Sequence, residues 1–172
     1  MPTCSDENWR TCFALLAPKL VLFARQWVAT TADAEDVVQS AFVRFWRKQP
    51  DAAPEHYPLL YTAVRTAALD LLRKDGRRGR REEQAFVEPC QAELTFFDST
   101  VQQREDAAAI SAALQQLPEA QREVLVLRIW GELTFQEIAD VLGGSINTVA
   151  ARYRYALQAL RRILEPHEYE RV

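Results

Sequence analysis

The chain has 172 residues, with 21 Lys and Arg against 24 Asp and Glu, a net charge of −3 and 48% hydrophobic residues. This is the balance of a globular protein of one or two small domains, and its five glycines and sparse apolar–polar alternation exclude an all-β fold. Cys4, Cys12 and Cys90 are odd in number and lack a paired spacing, and His56 and His167 are its two histidines. No disulfide framework, metal site or other cofactor is therefore expected.

The first apolar stretch, residues 9–28, is interrupted by Arg10, Lys19 and Arg25 and bent by Pro18. It is neither a signal peptide nor a membrane span, which predicts a cytoplasmic protein with no membrane partner. Residues 33–46, DAEDVVQSAFVRFW, predict a helix. Asp33, Glu35 and Asp36 crowd its start, where the macrodipole favours negative charge. Val38, Ala41, Phe42 and Phe45 make its buried stripe, leaving Asp36, Gln39, Ser40, Val43 and Arg47 on other faces. A Pro-rich loop follows at 49–58, containing His56 and Tyr57. Residues 59–74 predict a second helix packed through Leu60, Val64, Ala67, Ala68 and Leu71, with Arg65 and Thr66 among its remaining positions. It runs into Arg73, Lys74, Arg77, Arg78, Arg80 and Arg81. On composition alone, so dense a run is more often a solvated tail than a nucleic-acid patch. Residues 82–106 are acidic, hold Pro89 and an apolar knot at Leu94, Phe96 and Phe97, and are expected to be a linker.

Residues 117–164 carry the strongest local signals. Pro118 suits the first position of a helix, whose apolar stripe is Val124, Leu125, Leu127 and Ile129. Thr134 and Glu137 predict a capping box opening a second helix with Ile138, Ala139 and Leu142 inward. Gly143 and Gly144 break it, and Ser145 is set to cap a third. In the third helix Ile146, Val149, Tyr153, Leu157, Leu160 and Leu164 are expected to face the core. Asn147, Thr148, Ala151, Arg154 and Tyr155 then point away, with Arg152 on the flank. No acidic residue occurs between Val141 and Leu164. Two helices around a tight glycine turn, the second free of acid, describe a helix-turn-helix; a helical hairpin with a solvated basic face is the plainer alternative.

The segment LPEAQREVLVLR and the helix-turn-helix after it resemble the fourth region of bacterial sigma factors of the extracytoplasmic-function type, which reads the −35 promoter element. Likewise, the spacing D-x-x-Q-x-x-F-x-x-x-W from Asp36 to Trp46 is similar to the sigma second region. The resemblance implies an all-α chain of two small helical domains, 1–81 and 107–172, joined by an acidic linker at 82–106. It implies that Asp36, Gln39, Ser40, Val43 and Arg47 meet the β′ clamp helices of core RNA polymerase, the β flap being the fourth region's contact. It assigns the −10 element to His56, Tyr57, Arg65, Thr66, Arg73, Lys74, Arg77, Arg78, Arg80 and Arg81, and the −35 element to Asn147, Thr148, Ala151, Arg152, Arg154 and Tyr155. His56 and Tyr57 fall where the family shapes a pocket for a flipped base, although the residues alone fit a plain inter-helix loop. Ala150 and Ala151 stand where the family usually has a basic residue and a serine, and Tyr155 where a basic one is common, so base preference does not transfer.

On this reading the chain is a non-catalytic partner of core polymerase and promoter DNA. Only EPHEYERV follows Leu164, which leaves control to an anti-sigma protein or to transcription of its gene. A stand-alone helix-turn-helix regulator would leave the second-region-like helices without a role. A resolvase-like enzyme would need a nucleophilic Ser or Tyr beside an arginine cluster, a setting that Ser40 and Tyr61 lack. A helical scaffold does not call for an acid-free recognition helix.

Overall fold

A computed structural model describes the backbone of residues 6–50, 52–79 and 101–164. The chain divides into two compact units, Met1–Cys90 and Gln91–Val172, and among the described residues every regular element is helical.

The first unit holds α1 (Asp6–Ala24), α2 (Thr31–Lys48), a 3-10 turn at Pro54–His56 and α3 (Tyr57–Gly79). Each of the three α-helices packs on the other two. Pro18 lies inside α1, where the missing N–H removes one rung of the backbone ladder. Thr30 caps α2: its Oγ1 accepts the Asp33 N–H at 3.0 Å and donates to the Asp33 carboxylate at 2.7 Å. The buried stripe of α2 is Ala34, Val37, Val38, Ala41, Phe42 and Phe45. It packs on α1 and α3, whose Leu20 and Phe23, and Leu60, Tyr61 and Val64, are fully buried; each buried aliphatic or phenylalanine side chain contributes about 1.5–3 kcal/mol. Aromatic edges tie the layers together, Phe13 to Phe42 at 4.9 Å and Phe23 to Tyr61 at 5.6 Å. The expected second helix starts two residues early, because the 3-10 turn feeds directly into Tyr57. Ala67 and Leu71 are only half-buried, whereas Tyr61, outside the expected apolar stripe, is buried.

The second unit holds α4 (Val101–Gln115), α5 (Glu119–Ile129), α6 (Phe135–Leu142) and α7 (Ile146–Leu164). Helix α4 begins inside the segment expected to be a linker, so residues 101–106 are helical; Leu94, Phe96 and Phe97 lie outside the described residues. Pro118 is the N-cap of α5 rather than its first helical residue, with ψ 141°, and its carbonyl accepts from Gln121 and Arg122. Helix α7 is the hub, packed by α4, α5 and α6. Leu114, Leu117, Leu125 and Ala156 form a buried cluster, flanked by Ile110, Trp130, Ala159, Leu160 and Ile163.

That cluster corrects the expected inner stripe of α7. Its centre runs through Val149, Ala156 and Ile163, at helical spacing, because α4 and α5 cover that side. Ile146 and Leu157 lie roughly 80–100° away around the helix at 100° per residue, and Leu157 is 39% exposed. Leu157 instead lines an open groove of about 650 Å³ with Tyr153, Leu160 and Leu164. In α5, Ile129 is exposed at the helix end while Val126 is buried, and in α6 Val141 is buried more deeply than Leu142.

Candidate polymerase and nucleic-acid interfaces

The turn that enters the helix-turn-helix is set by backbone contacts. The N–H groups of Trp130 and Gly131 both reach the Val126 carbonyl, at 3.0 and 3.1 Å, and Leu133 N–H reaches Leu127 O at 3.1 Å. A Cβ on Gly131 would sit 2.5 Å from Leu127 O, a backbone atom that cannot swing aside. Glu132 takes φ 58°, a conformation uncommon outside glycine. Arg128 fastens the turn from outside, donating from Nη1 to Leu133 O at 2.8 Å with its Cζ 5.2 Å over the Phe135 ring.

The predicted capping box is present. Thr134 Oγ1 accepts the Glu137 N–H at 3.2 Å, and the Glu137 carboxylate accepts the Thr134 N–H at 2.7 Å. Gly143 closes α6 at φ 68° and ψ 38°, and Gly144 N–H reaches back to Ala139 O at 2.9 Å, the paired glycine stop expected of the sequence. Ser145 then caps α7, its Oγ accepting the Thr148 N–H at 3.1 Å and lying 2.8 Å from the Thr148 hydroxyl.

These caps aim the outer face of α7. Asn147, Thr148, Arg154 and Tyr155 are exposed, whereas Ala151 and Arg152 are half-buried. The Arg154 guanidinium lies over the Tyr155 ring, 5.4 Å from its centroid. The outer face of α2 has a different character. Asp36, Gln39, Ser40, Val43 and Arg47 recur at helical spacing and are all exposed, Val43 at 48%, so an aliphatic side chain sits in a polar stripe opposite the core.

In the connection to α3, His56 Nδ1 accepts the Ala53 N–H at 3.0 Å, leaving Nε2 to carry the ring hydrogen. His56 also lines a cavity of about 230 Å³ with Gln49, Pro50 and Ala52. Tyr57 opens α3. Arg65 lies over the Trp27 ring at 5.9 Å, Thr66 donates its hydroxyl to Thr62 O at 2.9 Å, and Arg73 pairs with Asp70 at 3.1 Å, with Lys74 exposed beside it. The backbone of Arg77 and Arg78 continues α3, so the start of the basic run is helical rather than a loose tail. Arg80 and Arg81 lie outside the described residues.

Comparison with known proteins gives this layout a family. Residues 12–78 match the sigma-70 region 2 family and residues 113–162 the sigma-70 region 4 family. The chain is 30% identical over 151 residues to an RNA polymerase sigma-E factor of Streptomyces avermitilis, covering 88% of this chain and 82% of that protein. It is 29% identical to the ECF RNA polymerase sigma factor RpoE of Cereibacter sphaeroides, over 94% of this chain and 91% of that one. The chain belongs to the extracytoplasmic-function sigma factors. The fold agrees with solved structures. The sigma factor RpoE of Bartonella quintana, in complex with the anti-sigma factor NepR, superposes with a TM-score of 0.74 at 24% identity, covering 92% of this chain and 98% of that one. CnrH, in complex with the cytosolic domain of CnrY, gives 0.64 at 24% identity, over 95% and 93%.

As a sigma factor, the chain binds core RNA polymerase and directs promoter-specific initiation of transcription. Its family is regulatory. Among the described residues no helix is long and apolar enough to cross a membrane, and no group of His, Cys, Asp or Glu is placed to hold a metal ion. Sequence reasoning missed several residues that position the sigma factor's outer faces: Thr30, Gly131, and Trp27 and Phe135, the ring partners of Arg65 and Arg128. The Thr30–Asp33 spacing was a readable cap signal; the others are contacts that a linear pattern does not carry.

Proposed function

We propose that the two units divide the work of the sigma factor. In this assignment residues 1–81 engage the β′ clamp helices through Asp36, Gln39, Ser40, Val43 and Arg47. They engage the −10 element through His56, Tyr57, Arg65, Thr66, Arg73, Lys74, Arg77, Arg78, Arg80 and Arg81. Residues 82–106 serve as the acidic connection, although α4 already occupies their end. Residues 107–172 engage the β flap and read the −35 element with Asn147, Thr148, Ala151, Arg152, Arg154 and Tyr155. The observation that carries the assignment is the outer face of α7: exposed, free of acid, and aimed by the Gly143 turn and the Ser145 cap. The exposed Val43 in the polar stripe of α2 supports a protein partner there, since interface centres combine an apolar anchor with a polar rim.

The protein acts in the cytoplasm, where core polymerase is, and is not itself a catalyst; phosphodiester chemistry belongs to the core enzyme. One similar structure holds an anti-sigma factor as its partner, and a protein of that kind is the proposed control on this chain. Run-off transcription with core polymerase on a promoter library tests the reading. Productive templates return a two-part consensus with separate −10 and −35 blocks, and none appears without the sigma factor. Selection of a single short operator by the chain alone would favour a stand-alone regulator instead.

A further inference from the structure

Arg154 and Tyr155 are in contact on the outer face of α7. Consecutive residues on a helix diverge by about 100° and do not normally face each other, yet the Arg154 Cζ lies 5.4 Å over the Tyr155 ring. In this arrangement both side chains lean together across the outer face, which favours one pair of rotamers over the others. Core packing does not demand this, because Tyr155 is 52% exposed. The rest of the face offers little hydrogen-bonding capacity. The Thr148 hydroxyl is engaged with Ser145 at 2.8 Å, and Ala150 and Ala151 have no polar side-chain atom. Along residues 146–155, the N-terminal part of the helix that reaches base edges in this docking mode, Arg154 and Asn147 are left as the strong exposed donors.

From this we infer that Tyr155, proposed above among the −35 residues, serves there as a positioning residue: its ring holds Arg154 for base reading, and its part in −35 preference runs through Arg154 rather than through a base contact of its own. The inference rests on the proposed role of Arg154 as a reader of the −35 element. A guanidinium resting on a ring face keeps the N–H donors in its own plane, and those are the groups that meet guanine O6 and N7. Holding the side chain beforehand lowers the ordering cost of binding. An exposed cation–π contact corresponds to about a 2- to 5-fold effect. The phenol hydroxyl has no part in it.

The test is selection of productive templates from a randomised −35 library, using the full chain with core polymerase. It compares the parent with Arg154→Ala, Tyr155→Phe, Tyr155→Leu and the double variant Arg154→Ala/Tyr155→Leu. Tyr155→Phe returns the parental preference. Tyr155→Leu weakens preference about 2- to 5-fold at the same base pairs that Arg154→Ala alters, and the double variant is no worse than Arg154→Ala. Melting temperature is unchanged in both Tyr155 variants. The inference is overturned if Tyr155→Leu affects other base pairs, adds fully to Arg154→Ala, or leaves preference intact while Arg154→Ala changes it. A uniform loss from Tyr155→Phe on all templates would show a hydroxyl contact with phosphate and would also overturn it. If Arg154→Ala itself returns the parental consensus, the assignment of Arg154 fails and takes the inference with it, a pattern distinct from the others.

Discussion

The glycines around the helix-turn-helix differ in what holds them, and replacing each with alanine should separate those causes. At Gly131 the new Cβ would lie 2.5 Å from Leu127 O. Relief requires moving the end of α5, which carries the Leu133 N–H bond to Leu127 and the Arg128 bond to Leu133. Overpacking against backbone costs about 1–3 kcal/mol and occasionally more, so Gly131→Ala should cost about 3. Gly143 has open space for a Cβ but stands at φ 68°, a left-handed conformation that costs an alanine roughly 1–2 kcal/mol. Gly144 has neither a neighbour within 4 Å nor a left-handed φ; Gly144→Ala should be neutral, or stabilising by a few tenths of the roughly 0.4–1 kcal/mol such changes can give. At about 4–8 °C per kcal/mol for a unit of this size, thermal melts of the full chain should show the second unit falling about 12–24 °C, 4–16 °C and 0 °C respectively. The first unit provides an internal reference. Equal effects at Gly131 and Gly143, or a Gly131→Ala protein that melts with the parent, would refute the argument from close approach.

Three further outcomes follow from the proposed interfaces. Asp36→Ala with Gln39→Ala removes exposed groups only, so affinity for core polymerase should fall by about 2–4 kcal/mol, the range for losing a few interface hydrogen bonds with one charged, at unchanged melting temperature; unchanged affinity would remove the assignment. Neutralising Arg77, Arg78, Arg80 and Arg81 should flatten the salt dependence of promoter opening, by about 0.7–0.9 in slope per lost phosphate contact, and an identical slope would return the run to a solvated tail. Arg154→Ala should relax preference at one or two −35 base pairs by about 1–3 kcal/mol, whereas half-buried Arg152→Ala should weaken all sequences alike or lower stability, and template selection with both variants distinguishes them.

What was legible in the sequence was local. Thr134, Glu137, Gly143 and Ser145 act on partners within about four residues, so their spacing carries their geometry, and the capping of α6 and α7 could be read directly. The exposed stripe of α2 was legible for the same reason, since its buried complement recurs at 3.6. What failed depended on partners distant in sequence. Which side of α7 is buried depends on α4 and α5, and the first of these was hidden because its opening residues, VQQRED, read as an acidic connection. The alanines that follow are the overlooked helix signal. Leu157 looked like core because it is leucine at a plausible spacing; only the position of Ala156 under Leu125 and Leu114 shows otherwise. The need for glycine at position 131 arises from a close approach across a turn, which no propensity records.

The charge of the chain also bears on how its proposed contacts combine. A net charge of −3 gives no general attraction to DNA, and fields from scattered surface charges fade within about 8 Å at physiological salt. The proposed DNA faces are therefore local: Arg73, Lys74 and the residues after them on α3, and Arg154 with Arg152 on α7. Either face alone makes few phosphate contacts, and affinity from few contacts is lost readily as salt rises. Bound together to one core polymerase, the two faces act as linked sites, so engagement of one raises the effective concentration of the other without any new contact. A strongly basic chain would hold DNA by itself and would hold every sequence. A slightly acidic one leaves non-specific affinity to the polymerase, so that promoter binding arises when both are present and the few side chains facing bases decide where.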